Sequence, residues 1–86
     1  MASVEKIVDK FLREPSEPEF DFEEVKKVLK KFDYELSRSR GSHFAFRRKR
    51  SPLINIPTHK GKVKKKYVKE VVKILNLEEW YEKNKR

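Results

Sequence analysis

Residues 34–48 read YELSRSRGSHFAFRR, and the fold turns on how this stretch is divided. Upstream of it apolar residues recur at helical spacing, whereas from Tyr34 the period drops to two. Tyr34 and Leu36 then point to one face of a first strand, and Glu35 and Ser37 to the other. The "SRG" that follows supplies a turn. A second strand runs from about His43 to Arg48, with Phe44 and Phe46 towards the core. That alternation leaves His43, Ala45 and Arg47 on the opposite face.

Downstream, "KRSP" turns the chain again, and Leu53 to Ile56 form a third strand stopped by Pro57. Upstream, Val4, Ile7, Val8, Phe11 and Leu12 mark a helix with Ser3 as N-cap. The prolines of "EPSEPEF" end it and form a short linker. The next helix carries a capping box, Asp21 with Glu24, and a hydrophobic staple, Phe20 with Val25. Phe22, Val25, Val28, Leu29 and Phe32 continue its apolar stripe. A third helix begins after Gly61 and buries Val68, Val71, Val72 and Leu75, with Asn76 at its end. "LEEWYEKNKR" reads as a last short helix whose Leu77, Trp80 and Tyr81 pack back. Trp80 and Tyr81 are also candidates for a base-stacking platform, although helical spacing favours packing.

The expected class is α+β, with the α–β–β–β–α order of double-stranded-RNA-binding domains. Helices cover one face of a three-stranded antiparallel sheet and water meets the other. An extra N-terminal helix and a short C-terminal helix complete it. Residues 1–20 form the helical extension and linker, and residues 21–86 a single globular domain.

The chain has 86 residues, 36% hydrophobic and 12% aromatic, enough large side chains to argue for one small folded unit. It has no cysteine, which excludes disulfides and thiolate metal sites. No apolar run approaches the roughly 18 residues of a membrane span, and the N-terminus lacks a secretion signal. A cytoplasmic protein with no membrane partner is expected.

The net charge of +9 is unevenly spread: between Leu36 and Lys69 there are twelve Lys or Arg and no acid, while all fourteen acids lie outside. A block of one sign reads as the footprint of a polyanion. Nucleic acid is favoured over a membrane surface, because no basic amphipathic helix with a broad apolar face accompanies the charge. The candidate phosphate contacts are Arg38, Arg40, Arg47 and Arg48 around the hairpin, and Lys60, Lys62, Lys64 and Lys65 in "HKGKVKKK". Positive charge at a helix start opposes the helix dipole, so phosphate contact explains the lysines best.

His43 opens the second strand on the water-facing side. From spacing alone it reads as a surface histidine facing nucleic acid. Ser42 serves the turn or a phosphate, since no carboxylate is near to complete a triad. His59 is a loop histidine that fixes backbone, contacts RNA or carries a second proton. Two histidines without Asp, Glu or Cys nearby make a poor metal site, so neither metal nor cofactor is expected.

Two separated motifs add to this reading: "YELSRSRGSHFAFRR", with Gly-Ser-His on the second strand, and "INIPTHKGKVKKKYVKEVVKIL", with strand–Pro–x–His–x–Gly and a helix. Together they resemble the HicA family of toxin–antitoxin ribonucleases over roughly residues 22–77. The resemblance implies a double-stranded-RNA-binding-domain-like fold and a metal-independent endoribonuclease acting on mRNA. It implies neutralisation by a HicB-type antitoxin, and it makes Gly41, Ser42 and His43 the active-site motif with His43 catalytic. The family's Gly–aromatic pair before the first strand is here Asp33-Tyr34, and Asp tolerates a left-handed backbone. The alternative is a non-catalytic RNA-binding module of the same fold.

Overall fold

Ser3 opens the first helix, α1 (Val4–Arg13): its hydroxyl accepts from the Lys6 N–H at 3.3 Å and its carbonyl from the Ile7 N–H at 3.0 Å. The computed structural model describes residues 3–13 and 18–84. Of the linker expected over residues 14–20, residues 14–17 lie outside the described part. The remainder is not linker, because Glu19–Asp21 form a short strand, β1. Its partner is β5 (Lys62–Lys64), where the third helix was expected to begin. The register sets Glu19 against Lys64 and Asp21 against Lys62, with Phe20 against Val63 between them. Opposite charges thus face one another on the wet side while Phe20 and Val63 are buried on the other, an arrangement that favours pairing.

Helix α2 (Phe22–Lys31) follows β1 directly. The expected capping box is absent: the Asp21 side chain makes no cap hydrogen bond and pairs with Lys62, while Glu24 pairs with Lys10 at 3.0 Å. A backbone group takes over, since the Phe22 N–H donates to the Gly61 carbonyl at 2.9 Å. The helix ends as the sequence predicts. Asp33 takes a left-handed φ of 69°. Its N–H donates to the Lys30 carbonyl at 3.1 Å and the Tyr34 N–H to the Leu29 carbonyl at 3.0 Å, the two bonds of a Schellman closure.

Strands β2 (Glu35–Arg40), β3 (His43–Arg47) and β4 (Ile54–Pro57) form an antiparallel sheet in the order β2-β3-β4. The first strand runs to Arg40, so the turn is Gly41–Ser42 rather than "SRG". The last strand includes Pro57 and leaves Leu53 outside, exposed. Helix α3 (Lys65–Leu75) starts after β5. Left-handed Asn76 (φ 51°, ψ 51°) ends it, and its side chain donates to Glu79 at 2.7 Å as α4 (Leu77–Asn84) begins.

One core unites these elements. Val25, Val28 and Leu29 from α2 and Val68, Val71 and Leu75 from α3 meet Phe46, Ile54 and Ile56 of the sheet, and Ile7, Val8 and Leu77 join from α1 and α4. Phe22 stacks on Phe44 with centroids 4.5 Å apart, fixing α2 to the hairpin. Trp80 packs edge-on against Phe32 at 5.3 Å, and the Tyr81 hydroxyl donates to Asp9 at 2.9 Å, so both face the body of the protein. The α–β–β–β–α order with an added helix at each end is thus present, with the β1–β5 ladder as an addition. No helix among the described residues is long and apolar enough to cross a membrane.

Leu36 departs from its expected burial. It shares the inward face with Phe46, its cross-strand partner, yet it is 46% exposed because edge strand β2 extends past the helices. Phe46 is 1% exposed. Truncating Phe46 to Ala is therefore expected to cost about 3–4 kcal/mol in urea denaturation. Leu36→Ala is expected to cost less than about 0.5 kcal/mol.

Candidate nucleic-acid interface

The hairpin β2–β3 is closed by two residues, with Arg40 paired to His43. Such tight turns need positive φ at the first or both central positions. Gly41 supplies it at 61°, and nothing crowds the site where a Cβ would stand, so the requirement for glycine is conformational. The Ser42 carbonyl accepts both the Thr58 N–H at 2.7 Å and the Thr58 hydroxyl at 3.0 Å. Gly41 thus makes the turn, Ser42 anchors it to the end of β4, and His43 stands exposed on the outer face.

A bulge decides which residues join His43. Glu35 pairs with Arg47 and Leu36 with Phe46, but the register then shifts, so that Arg38 pairs with Ala45 and Arg40 with His43. The extra residue, Ser37, changes the parity of the strand. Uninterrupted alternation from Leu36 would send Arg38 and Arg40 towards the core side. The bulge turns both to the face that carries His43.

Three concavities follow one another along this surface. The largest, about 1070 Å³, is lined by five cations, Arg38, Arg47, Arg48, Lys49 and Arg50, against two acids, Asp33 and Glu35, with Ala45 and Asn55 in its wall. It shares Arg38, Ala45 and Asn55 with a groove of about 560 Å³ that contains Arg40 and His43. That groove shares Pro57 and Tyr67 with a third of about 330 Å³, which holds His59, Lys62 and Lys64. A basic track therefore runs from the hairpin across His43 to His59. Cations closely spaced along a groove are what a phosphodiester chain needs.

His59 sits in a second tight turn. Its N–H and carbonyl exchange hydrogen bonds of 2.9 Å with those of Lys62, and Lys60 and Gly61 between them have φ of 53° and 76°. Its side chain lines the third concavity, apart from the groove of His43. Among the described residues there is no group of three or more His, Cys, Asp or Glu that could hold a metal ion.

The expected basic residues differ in their freedom. Arg38, Arg40, Arg47, Lys60 and Lys64 are exposed, while Lys65 is half-buried at the start of α3. Lys62 is held by Asp21, and this hydrogen bond raises the lysine pKa and lowers that of the carboxyl. Arg48 is built into the structure. Its Nε donates to Ser51 at 2.8 Å, one terminal nitrogen donates to the Phe32 carbonyl at 2.8 Å, and its guanidinium lies 4.8 Å from the centroid of the Tyr34 ring. The Tyr34 hydroxyl in turn donates to the Pro52 carbonyl at 2.9 Å. Arg48 thus fastens the end of α2 to the β3–β4 turn. Asn55 and Tyr67 enter the track without having been singled out in the sequence. Tyr67 gives only a weak signal there, an aromatic at the margin of the apolar stripe of a basic helix.

Fold and surface together define a small α+β domain that presents a basic, histidine-bearing sheet face. The family model described as HicA toxin of bacterial toxin-antitoxin matches residues 22–77, so the chain belongs to that family and is the toxin of a toxin–antitoxin pair. No curated protein and no solved structure matches the chain significantly. The matched segment contains the sheet, α2 and α3, whereas α1 and β1 precede it.

The different positions of the arginines are open to measurement. Arg48→Ala is expected to lower unfolding stability by about 1–2 kcal/mol, because it leaves the Phe32 carbonyl without its charged donor. Arg38→Ala should leave stability within about 0.5 kcal/mol of the wild type. Paired urea titrations of the two variants give both values.

Proposed function

We propose that the chain is a metal-independent endoribonuclease that cleaves mRNA, with His43 as general acid and base. The observation that supports this most directly is the bulge at Ser37, which brings Arg38 and Arg40 onto the face and into the groove of His43. A phosphodiester lying in that groove meets a proton carrier and two fixed cations together.

The chemistry balances with one histidine. Neutral imidazole takes the proton of the RNA 2′-hydroxyl while that oxygen attacks phosphorus and the bond to the 5′-oxygen breaks. The imidazolium returns the proton to the departing 5′-oxygen, leaving a 2′,3′-cyclic phosphate and a 5′-hydroxyl. Histidine suits both transfers because its unperturbed pKa lies near neutrality. Arg38 and Arg40 hold the phosphate and stabilise the extra negative charge of the phosphorane. Gly41 and Ser42 position His43 through the turn and its anchor at Thr58. Arg47, Lys60, Lys64 and Lys65 extend phosphate contact along the track, and His59 belongs to the RNA-contacting surface of its far end. An acidic HicB-type antitoxin covers this face and holds the toxin inactive, in a compartment where mRNA is present, the cytoplasm.

Expression of His43→Ala is expected to relieve the growth arrest and mRNA loss that the wild type causes, with RNA binding within a few-fold of the wild type. If the variant cleaves like the wild type, the assignment of His43 fails. If the purified wild type binds RNA and leaves it intact, the domain is a binding module. Chelation of divalent metal should leave the rate unchanged. Binding should also weaken steeply with salt, because each neutralised phosphate releases counterions. Arg38→Ala should make the log–log slope shallower by about one unit.

A further inference from the structure

One wall of the His43 groove has no part in the proton transfer or phosphate binding described above. Tyr67, on the first turn of α3, lines both this groove and the one beside His59. It is half-buried, and Val68 and Val71 of the same helix are locked in the core, so the ring is held in place rather than trailing in solvent. Its hydroxyl has no hydrogen-bond partner among the described residues. The exposed Lys66 ammonium stands 5.1 Å from the ring centroid. Phe44, the other aromatic of the His43 groove, is already stacked on Phe22. Tyr67 is therefore the aromatic surface available to a ligand between the two histidines.

Attack by a 2′-hydroxyl requires that oxygen, the phosphorus and the departing 5′-oxygen to lie in line, and a regularly stacked strand holds them away from that line. The nucleotide at the cut has to leave the stack, and its base needs a new surface. Aromatic side chains provide one for any base, because every base has a π face. Resting on the ribonuclease reading above, we propose that Tyr67 is the stacking wall for an unstacked nucleobase beside the phosphate held at His43. The adjoining phosphates lie on Arg38 and Arg40 to one side and on Lys64 to the other, and Lys66 leaves the ring for a phosphate when the base arrives. The preferred substrate is RNA with an unpaired nucleotide at the cut, a bulge or loop rather than an unbroken duplex.

The test uses a hairpin oligoribonucleotide with a single bulged 2-aminopurine, whose fluorescence is quenched on stacking. The full chain carrying His43→Ala should quench it. Adding Tyr67→Phe should preserve quenching, and adding Tyr67→Leu should abolish it. In single-turnover cleavage with His43 present, Tyr67→Leu is expected to lose on the order of ten- to a hundred-fold in rate, and Tyr67→Phe about twofold or less. An abasic residue at the bulge should slow the wild type by a similar factor and leave Tyr67→Leu unaffected.

If Tyr67→Leu melts, quenches and cleaves like the wild type, the stacking wall is overturned while the role of His43 stands. Should Tyr67→Leu not fold, wild-type protein decides alone: equal cleavage with and without the bulged base overturns the proposal. Quenching that depends on Tyr67 in a wild type that never cleaves overturns the ribonuclease reading and retains the slot as a binding site. Neither quenching nor cleavage overturns both.

Discussion

Phe46 is the fixed point from which the placement of the functional surface follows. Buried beneath α2 and α3 and preceded along its strand by Phe44 against Phe22, it sets which face of β3 is dry. The strict alternation of a strand then leaves His43, Ala45 and Arg47 outside. The neighbouring strand would obey the same rule and turn its arginines the wrong way, were it not for one inserted residue. The bulge at Ser37 reconciles a buried-facing Tyr34–Leu36 segment with an outward-facing Arg38–Arg40 pair. The strands are in register on both sides of the bulge, and the inserted residue lets Leu36 face inward beside Phe46 while Arg38 and Arg40 face outward beside Ala45 and His43.

Charge is divided by task. Four of the acids outside the central window make structural pairs: Glu24 with Lys10, Asp21 with Lys62, Asp9 with Arg13 and Tyr81, Glu79 with Lys83. Most of these pairs are exposed and contribute little individually to stability. Their effect on the surface is to neutralise the helical body. The stretch between Leu36 and Lys69 has no acid of its own, and Asp33 and Glu35 reach the arginine-rich concavity from just before it. A polyanion approaching this molecule therefore meets a directional field rather than a uniformly basic particle.

What the sequence revealed and what it hid follow from the range of the interactions involved. The helices and the inward orientation of Phe44 and Phe46 were legible because periodicity is a local signal carried by many residues. The left-handed ends at Asp33 and Asn76 were legible because each needs one tolerant residue at one position. The β1–β5 ladder was not, since a strand of three residues is too short to establish a period, and "KVKKK" suits a helix as well as a strand. The bulge left no mark either: Ser37 has no property that identifies it as the extra residue, which depends on register with β3. Arg48 looked like one basic residue among several because its partners, Phe32, Tyr34 and Ser51, are brought together only by the fold. The capping box misled for the same reason, as Asp21 and Glu24 found lysines distant in sequence.

The β1–β5 ladder has a further consequence for how the chain assembles. Phe20 and Val63 meet across it, so everything from α2 to the His59 turn is a loop cinched at its base by three residue pairs. Closing a loop of that length costs entropy that the hairpins inside it do not have to meet. The sheet and its histidine face can form first from contacts near in sequence, with the ladder drawn shut afterwards and α1 carried onto the core by the same closure. The clasp thereby ties the segment that precedes the family domain to the far end of the loop inside that domain, so the two are joined by the same three residue pairs.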